Sequence, residues 1–83
     1  TDFEVQISDK GADLFYKENY PSMELVKCNG QYKIKGFYNV GEERFIADYF
    51  LSYGKLINSI YPEQLKTLVL ERTKELCQYY GKL

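Results

Sequence analysis

The side chains best suited to catalysis are few and scattered in this chain. It has no histidine, the residue most often used as a general base near neutral pH. Carboxylates are numerous, but the adjacent Glu42 and Glu43 have the charge and position expected of a solvated helix start rather than of a pocket. The six glycines form neither a GxGxxG sequence nor a phosphate-binding loop. We therefore expect no enzymatic activity, no catalytic residue and no cofactor.

The two cysteines do not have the spacing of a metal site. Cys28 and Cys77 lie far apart in the sequence and form no CxxC pair, and no histidine is available as a further ligand. Nothing else in the chain indicates an oxidising compartment, where disulfides persist. We expect two reduced, partly buried thiols, no disulfide and no metal.

Charge and motif content argue against direct binding of nucleic acid. The net charge is −1, from 11 basic and 12 acidic side chains, whereas phosphate binding requires clustered Lys and Arg. Lys35-Gly36-Phe37 opens like the third-strand signature of RNA-recognition motifs, but the residues that follow agree with it only at Val40. We expect no direct DNA binding, and RNA binding is the least favoured alternative.

The aromatic content points to an interaction surface instead. Nine Tyr and five Phe are more aromatic side chains than a core of this size readily covers, and Tyr suits surfaces that become partly dry on association. We predict Phe37, on the open face of a sheet, as one contact residue. Leu70 and Cys77, off the main apolar stripe of the last helix, are the others. A weak homodimer is one expected use of this surface.

Hydrophobic periodicity predicts the elements that carry these residues. Phe3, Val5 and Ile7 alternate with polar residues, which indicates a strand with one dry face. Ser8 or Asp9 can cap a short helix that ends before Tyr20-Pro21. Residues 23–28 and 31–38 flank Asn29-Gly30, the dipeptide most typical of a type I′ hairpin turn.

That turn also predicts the pairing of the hairpin. A two-residue loop places Cys28 opposite Gln31 and Glu24 opposite Lys35, and the latter is an opposite-charge pair that favours this register. The face that carries Leu25 and Ile34, together with Met23 and Tyr32, should then be the core face. The opposite face, with Val26, Lys33 and Phe37, is mixed and can be solvated.

The second half of the chain predicts two helices around a short strand. An apolar stripe, consisting of Phe45, Ile46, Tyr49, Phe50 and Tyr53, precedes Gly54, which is suited to end a helix. A strand over 55–60 follows, and Pro62 starts a long helix whose stripe is Leu65, Leu68, Val69, Arg72, Leu76 and Tyr79 or Tyr80. The order predicts an α+β, ferredoxin-like βαββαβ antiparallel sheet with an additional C-terminal helix.

Length and composition favour one ordered domain. The 83 residues have room for a single core, and 45% hydrophobic with 28% charged residues is typical of a globular domain. No apolar run approaches the length that spans a bilayer, so no membrane association and a cytoplasmic location are expected. Because the chain begins at Thr1 without Met, we suspect that it is an excised piece of a longer protein.

Motifs in the last forty or so residues resemble a known family. The resemblance rests on Phe50–Gly54, which reads Phe-Leu-Ser-Tyr-Gly, on Ser59–Leu65, which reads Ser-Ile-Tyr-Pro-Glu-Gln-Leu, and on Tyr80. This order is similar to that of the C-terminal extension (WCX) domain of WYL-domain transcriptional regulators. There a helix closes on Ser-Phe-Gly, a strand runs into Pro, Leu follows, and the last helix ends in Tyr. The order predicted for 1–41 fits as well.

The resemblance implies a regulatory function rather than chemistry, and it implies that residues 1–83 are the C-terminal fragment of a longer regulator. It suggests a non-enzymatic regulatory, effector-transmitting and oligomerisation domain, whose partners would be upstream WYL and helix-turn-helix domains of the same protein. DNA binding for transcription regulation would belong to those domains. The main alternative is an ACT-like small-molecule-binding domain, which has the same expected fold and often binds ligands at a dimer interface.

Overall fold

An antiparallel sheet of four strands and three helices make up the structure, a computed structural model that describes all 83 residues. The strands are β1 (Asp2–Ile7), β2 (Glu24–Cys28), β3 (Gln31–Phe37) and β4 (Ile57–Tyr61). The helices are α1 (Asp9–Lys17), α2 (Glu43–Leu51) and α3 (Glu63–Gly81), with a 3₁₀ turn at Gly54–Leu56. In the sheet the strands lie in the order β2-β3-β1-β4, and every neighbouring pair is antiparallel. The α+β class is therefore confirmed.

Strand β1 is central and follows the predicted alternation. Phe3, Val5 and Ile7 are at most 2% exposed and face the helices, while Glu4 and Gln6 are only half-buried on the other face. Because the side-chain period of a strand is two, this pattern leaves β1 no alternative register without exposing its three core side chains.

The β2–β3 hairpin has the predicted turn and the predicted register. Asn29 and Gly30 take φ angles of 53° and 77°, as a type I′ turn requires, and the five residue pairs run from Cys28 opposite Gln31 to Glu24 opposite Lys35. Lys35, however, forms its ion pair with Glu4 of β1, at 3.4 Å. The cross-strand pair is displaced because β3 lies between β2 and β1, so that Lys35 has a glutamate on either side.

Helix α1 begins at the predicted cap. The Ser8 hydroxyl accepts a hydrogen bond from the Gly11 N–H at 3.2 Å, and Ala12 and Phe15 are buried. Tyr16, which has the same helical spacing, is instead 70% exposed, because a helix of nine residues on one layer buries only a narrow stripe.

Helix α2 packs its predicted stripe into the core, with one exception. Ile46, Tyr49 and Phe50 are buried, but Phe45 is 53% exposed, and Ala47, outside the predicted stripe, is fully buried. Gly54 adopts a positive φ of 56°, and the chain then makes a 3₁₀ turn. The last strand therefore starts two residues later than predicted, at Ile57.

Helix α3 lies beside α2 and runs in the same direction. Glu43 shares a cavity with Leu68, near the starts of the two helices, and Leu51 shares another with Leu76, further along both. Between them, Arg72 donates to both carboxylate oxygens of Asp48, at 2.7 and 3.1 Å. The core thus consists of the inner sheet face, α1 and α2, and it is closed at one side by Leu65 of α3.

The exposure of the two cysteines differs from the prediction. Cys28 and Cys77 are unbonded, but both are exposed rather than partly buried, because each lies on a face that no other element covers. None of the three helices combines the length and the apolar character needed to cross a bilayer.

Candidate functional site

The three residues predicted as an interaction surface occupy two separate places. Phe37, at the end of β3, is 49% exposed, while Leu70 and Cys77 are exposed on α3, where Leu70 is 52% exposed. Phe37 lines two clefts, and neither includes a residue of α3. The structure therefore shows all three side chains as accessible, but it does not bring Phe37 together with the other two.

The open face of the sheet is mainly polar. Gln6 donates to Gln31 and accepts from the Ser59 hydroxyl at 3.4 Å, so side chains of three strands are linked across this face. The Lys35–Glu4 ion pair adds a further cross-strand contact. Such a face is well hydrated and offers little apolar area to a partner. The expectation of a solvated face fits this arrangement.

Phe37 is placed by the glycine that precedes it. A Cβ atom on Gly36 would lie 2.8 Å from the ring of Phe3 and 3.0 Å from the Ser22 carbonyl oxygen. Gly36 is thus required for close packing of the β3 backbone on the core and on the loop before β2. Packing gives a sufficient reason for the glycine in Lys35-Gly36-Phe37, without any role in RNA binding.

Phe37 lines a cleft that was not predicted from the sequence. We call it the aromatic cleft; it has a volume of about 360 Å³. Aromatic residues from a loop, a strand and a helix line it together with polar residues: Tyr20, Pro21, Ser22, Phe37, Asn39, Glu42, Phe45 and Ile46. Phe45 and Tyr20 were missed because the sequence pattern assigned Phe45 to the core and Tyr20 to the end of a helix.

The aromatic wall opposite Phe37 is formed by ring–ring packing. The ring of Tyr20 lies 5.0 Å from that of Phe45 and 5.1 Å from that of Tyr49, measured between centroids. Tyr49 is buried, so Tyr20 connects the cleft to the core. These distances are within the range in which tilted aromatic pairs are favourable.

A hydrogen-bonded loop holds the acidic rim of the cleft. One carboxylate oxygen of Glu42 accepts from the Asn39 N–H at 2.7 Å, and Glu43 accepts from the Gly41 N–H at 2.8 Å. Gly41 needs its φ of 97° to make this turn. The rim therefore presents one carboxylate, and no Lys or Arg lines the cleft.

Two buried tyrosine hydroxyls support the same wall from below. The Tyr49 hydroxyl donates to the Glu18 carbonyl oxygen at 2.7 Å and lies 2.9 Å from the Tyr53 hydroxyl, which must then be the donor between the two. Burial raises the pKa of both hydroxyls above its ordinary value, and for Tyr49 the hydrogen bond with Tyr53 adds to the rise. This chain of hydrogen bonds ties the segment that leads into Tyr20 to the inner side of α2.

A third surface is the end of α3, which extends past the body of the domain. We call Tyr79, Tyr80 and Leu83 the α3 overhang; they are 60%, 63% and 85% exposed. Helical geometry places Tyr79 and Tyr80 near the angular position of Leu65 and Leu76, so they continue the stripe by which α3 packs on the domain, while Leu83 follows the end of the helix at Gly81. Every residue after Leu76 is exposed.

The hydrogen bond from Arg72 to Asp48 raises the pKa of the Arg72 guanidinium. Arg72 therefore stays charged, and its ion pair with Asp48 links α3 to α2. No cluster of potential metal ligands is present.

Compared with known proteins, the chain matches no family model, no curated protein and no solved structure.

Proposed function

We propose that this chain is a non-enzymatic regulatory and assembly domain with a ferredoxin-like fold, the C-terminal extension of a WYL-type transcriptional regulator. The order β-α-β-β-α-β before α3, with the sheet order β2-β3-β1-β4, supports the fold assignment. The family-like motifs support the rest: Ser52-Tyr53-Gly54 follows α2, and Tyr61-Pro62 joins β4 to α3. In such a cytoplasmic regulator, upstream WYL and helix-turn-helix domains would be the partners, and they would bind the DNA.

The observation that carries the assembly role is the uncovered apolar surface of α3. Leu70 lies on one side of the helix and the α3 overhang on another, and all four side chains are more than half exposed. A few side chains fall short of the roughly 1,000 Å² of a stable interface. By itself the chain should therefore exchange weakly between monomer and dimer, and contact with neighbouring domains would complete the interface.

Sedimentation velocity over a range of concentrations tests this role. The sedimentation coefficient of the unchanged chain should rise with concentration, and Leu70→Glu should abolish the rise. Tyr61→Glu is the matched control, because Tyr61 is 65% exposed but belongs to the sheet edge. A concentration-independent unchanged chain, or equal effects of the two variants, would contradict the proposal. If Leu70→Glu unfolds the domain, Leu70 belongs to the core.

The regulatory role has its own test. The coding sequence directly upstream of residue 1 should encode a WYL domain preceded by a helix-turn-helix, in the same reading frame. The isolated chain should bind neither duplex DNA nor RNA in a sequence-dependent manner, because its charge is balanced and its exposed lysines are interspersed with carboxylates. A sequence-specific, salt-sensitive complex of this chain alone would refute the assignment.

A second candidate is a small-molecule-binding domain of the ACT-like kind, and the aromatic cleft favours it. The cleft volume of about 360 Å³ lies at the lower end of the range of small-molecule sites. The two candidates differ in a simple measurement. A ligand-binding domain should show a ligand-dependent rise in melting temperature in isolation, whereas an assembly domain should respond only when joined to its neighbours.

A further inference from the structure

We propose that the aromatic cleft binds the alkylated ammonium group of a small molecule, which contacts the rings of Tyr20, Phe37 and Phe45 while Glu42 supplies the opposite charge. This inference rests on the second candidate function and names the class of its ligand. It does not depend on any association through α3.

Aromatic residues of three elements line this cleft. Phe37 comes from β3, Phe45 from α2 and Tyr20 from the loop between α1 and β2. Phe37 and Phe45 remain 49% and 53% exposed, although Phe45 already packs against Tyr20. About half of the surface of each phenylalanine is therefore exposed, and Phe37 also borders the neighbouring cleft that Lys35 lines.

The charge of the lining selects the sign of the ligand. Glu42 is the one charged residue that lines the cleft, and only one of its carboxylate oxygens is used by the Asn39 N–H. The nearest cations in the sequence are engaged elsewhere, since Lys35 pairs with Glu4 and Arg44 with Glu75 at 3.1 Å. Glu42 and Glu43 also offset the positive end of the α2 dipole, which would otherwise repel a cation.

The polar groups of the cleft favour an alkylated ammonium over a primary one. A primary ammonium loses three hydrogen bonds to water when it is covered, and apart from the neutral side chains of Ser22 and Asn39 it would find one free carboxylate oxygen in return. An alkylated ammonium donates few or no hydrogen bonds, spreads its charge over methyl groups and gains from the negative faces of aromatic rings. Half-exposed rings with a single carboxylate are therefore better matched to a methylated or otherwise alkylated cation.

Choline and its neutral isostere 3,3-dimethylbutan-1-ol provide the decisive pair of probes. They share shape and hydroxyl group and differ in the charge of the central atom. Titration of the isotope-labelled chain, followed by amide chemical shifts, should show choline binding with a roughly millimolar dissociation constant. The shifts should be confined to the loop at 20–22, the end of β3 and the start of α2. Equal binding of the neutral isostere, or shifts spread over the whole domain, would overturn the proposal.

Matched variants assign the contacts. Phe45→Leu keeps an apolar side chain but removes the ring, and it should weaken choline binding about three- to fivefold. Glu42→Gln keeps the acceptor for the Asn39 N–H and removes the charge, and it should weaken binding to a similar extent. Tyr61→Leu, an exposed aromatic outside the cleft, should leave the affinity unchanged. An equal loss in Tyr61→Leu, or no loss in the other two variants, would refute these contacts.

The outcome is separable from that of the assembly proposal. Choline should not change the concentration dependence of sedimentation, because the cleft and α3 share no residue. Failure of choline binding with intact self-association would remove this inference and leave the assembly role. The reverse result would do the opposite.

Discussion

The two halves of α3 carry the same apolar stripe in different surroundings. In the first half Leu65 is fully buried, Val69 is half-buried against the core, and Arg72 is held by Asp48 of α2. In the second half Tyr79 and Tyr80 occupy the corresponding side of the helix but are 60% and 63% exposed. The helix is about 28 Å long from its 19 residues, whereas α2 beside it has nine residues and is about 14 Å long.

This difference shows what an amphipathic pattern does and does not specify. Periodicity states which side of a helix is apolar, but the length of the neighbouring element decides how much of that side is covered. Because α2 ends at Leu51, the apolar stripe of α3 continues beyond the part of α2 on which its first half packs. Aromatic side chains kept there cost solubility unless another surface covers them, which is the physical basis of the proposed assembly role.

The largest expected effect comes from the covered half. Leu65→Ala should lower the free energy of unfolding by about 2–5 kcal/mol, because it leaves a cavity in a core with 0% exposure at that position. The total stability of a domain of this size is roughly 4–12 kcal/mol, so the loss should be obvious in urea denaturation. Leu83→Ala is the matched control in the overhang and should change stability by less than about 0.5 kcal/mol. Similar losses of unfolding free energy in the two variants would contradict the difference between the two halves of α3.

Helix α2, on which the first half of α3 packs, is stabilised by the buried hydroxyl groups of Tyr49 and Tyr53. Tyr49→Phe should cost about 1–3 kcal/mol, because the Glu18 carbonyl oxygen loses its donor and the Tyr53 hydroxyl loses its acceptor. Tyr53→Phe leaves the bond from Tyr49 to Glu18 intact and should cost less. Urea denaturation of both variants decides the order, and the reverse order would mean that the hydroxyl chain is directed differently.

The same pair should make the domain sensitive to alkaline pH. The pKa of each hydroxyl is raised in the folded state, so its contribution to stability is complete below the unfolded pKa of about 10 and is lost as pH rises above that value. The free energy of unfolding should therefore fall between about pH 9 and about pH 11, and it should fall less steeply in Tyr49→Phe. Equal slopes in the two proteins would show that Tyr49 is not the titrating group.

Strands and turns of this fold could be predicted from the sequence more fully than helix packing could. The hairpin register was predictable because Asn29-Gly30 restricts the turn, and the strand alternation of Phe3, Val5 and Ile7 left one choice of core face. Helix stripes were less informative. Phe45 has core spacing, yet it is 53% exposed and lines the aromatic cleft, whereas Ala47, outside the predicted stripe, is fully buried.

The candidate site was harder to predict than the fold. Phe37 was identified from the alternation of its strand, but its neighbours in the cleft come from residues distant in sequence, such as Tyr20 and Phe45. No periodic signal relates a loop residue to a helix residue across a sheet edge. The overhang was also hidden, since Tyr79 and Tyr80 extend a regular stripe and only the length of α2 reveals that they lie outside the body of the domain.

A smaller effect is expected at the boundary between the two halves. Arg72→Met keeps the apolar stem of the side chain and removes the charge that joins Asp48 and Glu75. Both carboxylates are about half exposed, so solvent screens the pairs, and stability should fall by less than in Tyr49→Phe. Urea denaturation at low and at high salt should show that the difference between variant and unchanged chain shrinks as salt is added. A salt-independent difference would mean that packing of the Arg72 stem matters more than its charge.

The smallest effect on stability should come from removing the overhang itself. A chain that ends at Gln78 lacks Tyr79, Tyr80 and Leu83 but keeps every buried residue of α3. The backbone hydrogen bonds that it loses, such as Lys82 N–H to the Tyr79 carbonyl at 3.1 Å, are local to the last turn. The melting temperature should therefore stay within about 2 °C of that of the full chain. Sedimentation should nevertheless lose part of its concentration dependence, because exposed aromatic area is removed. A shortened chain that melts much earlier would show that the overhang covers the domain, and one that associates unchanged would assign self-association to Leu70 and Cys77 alone.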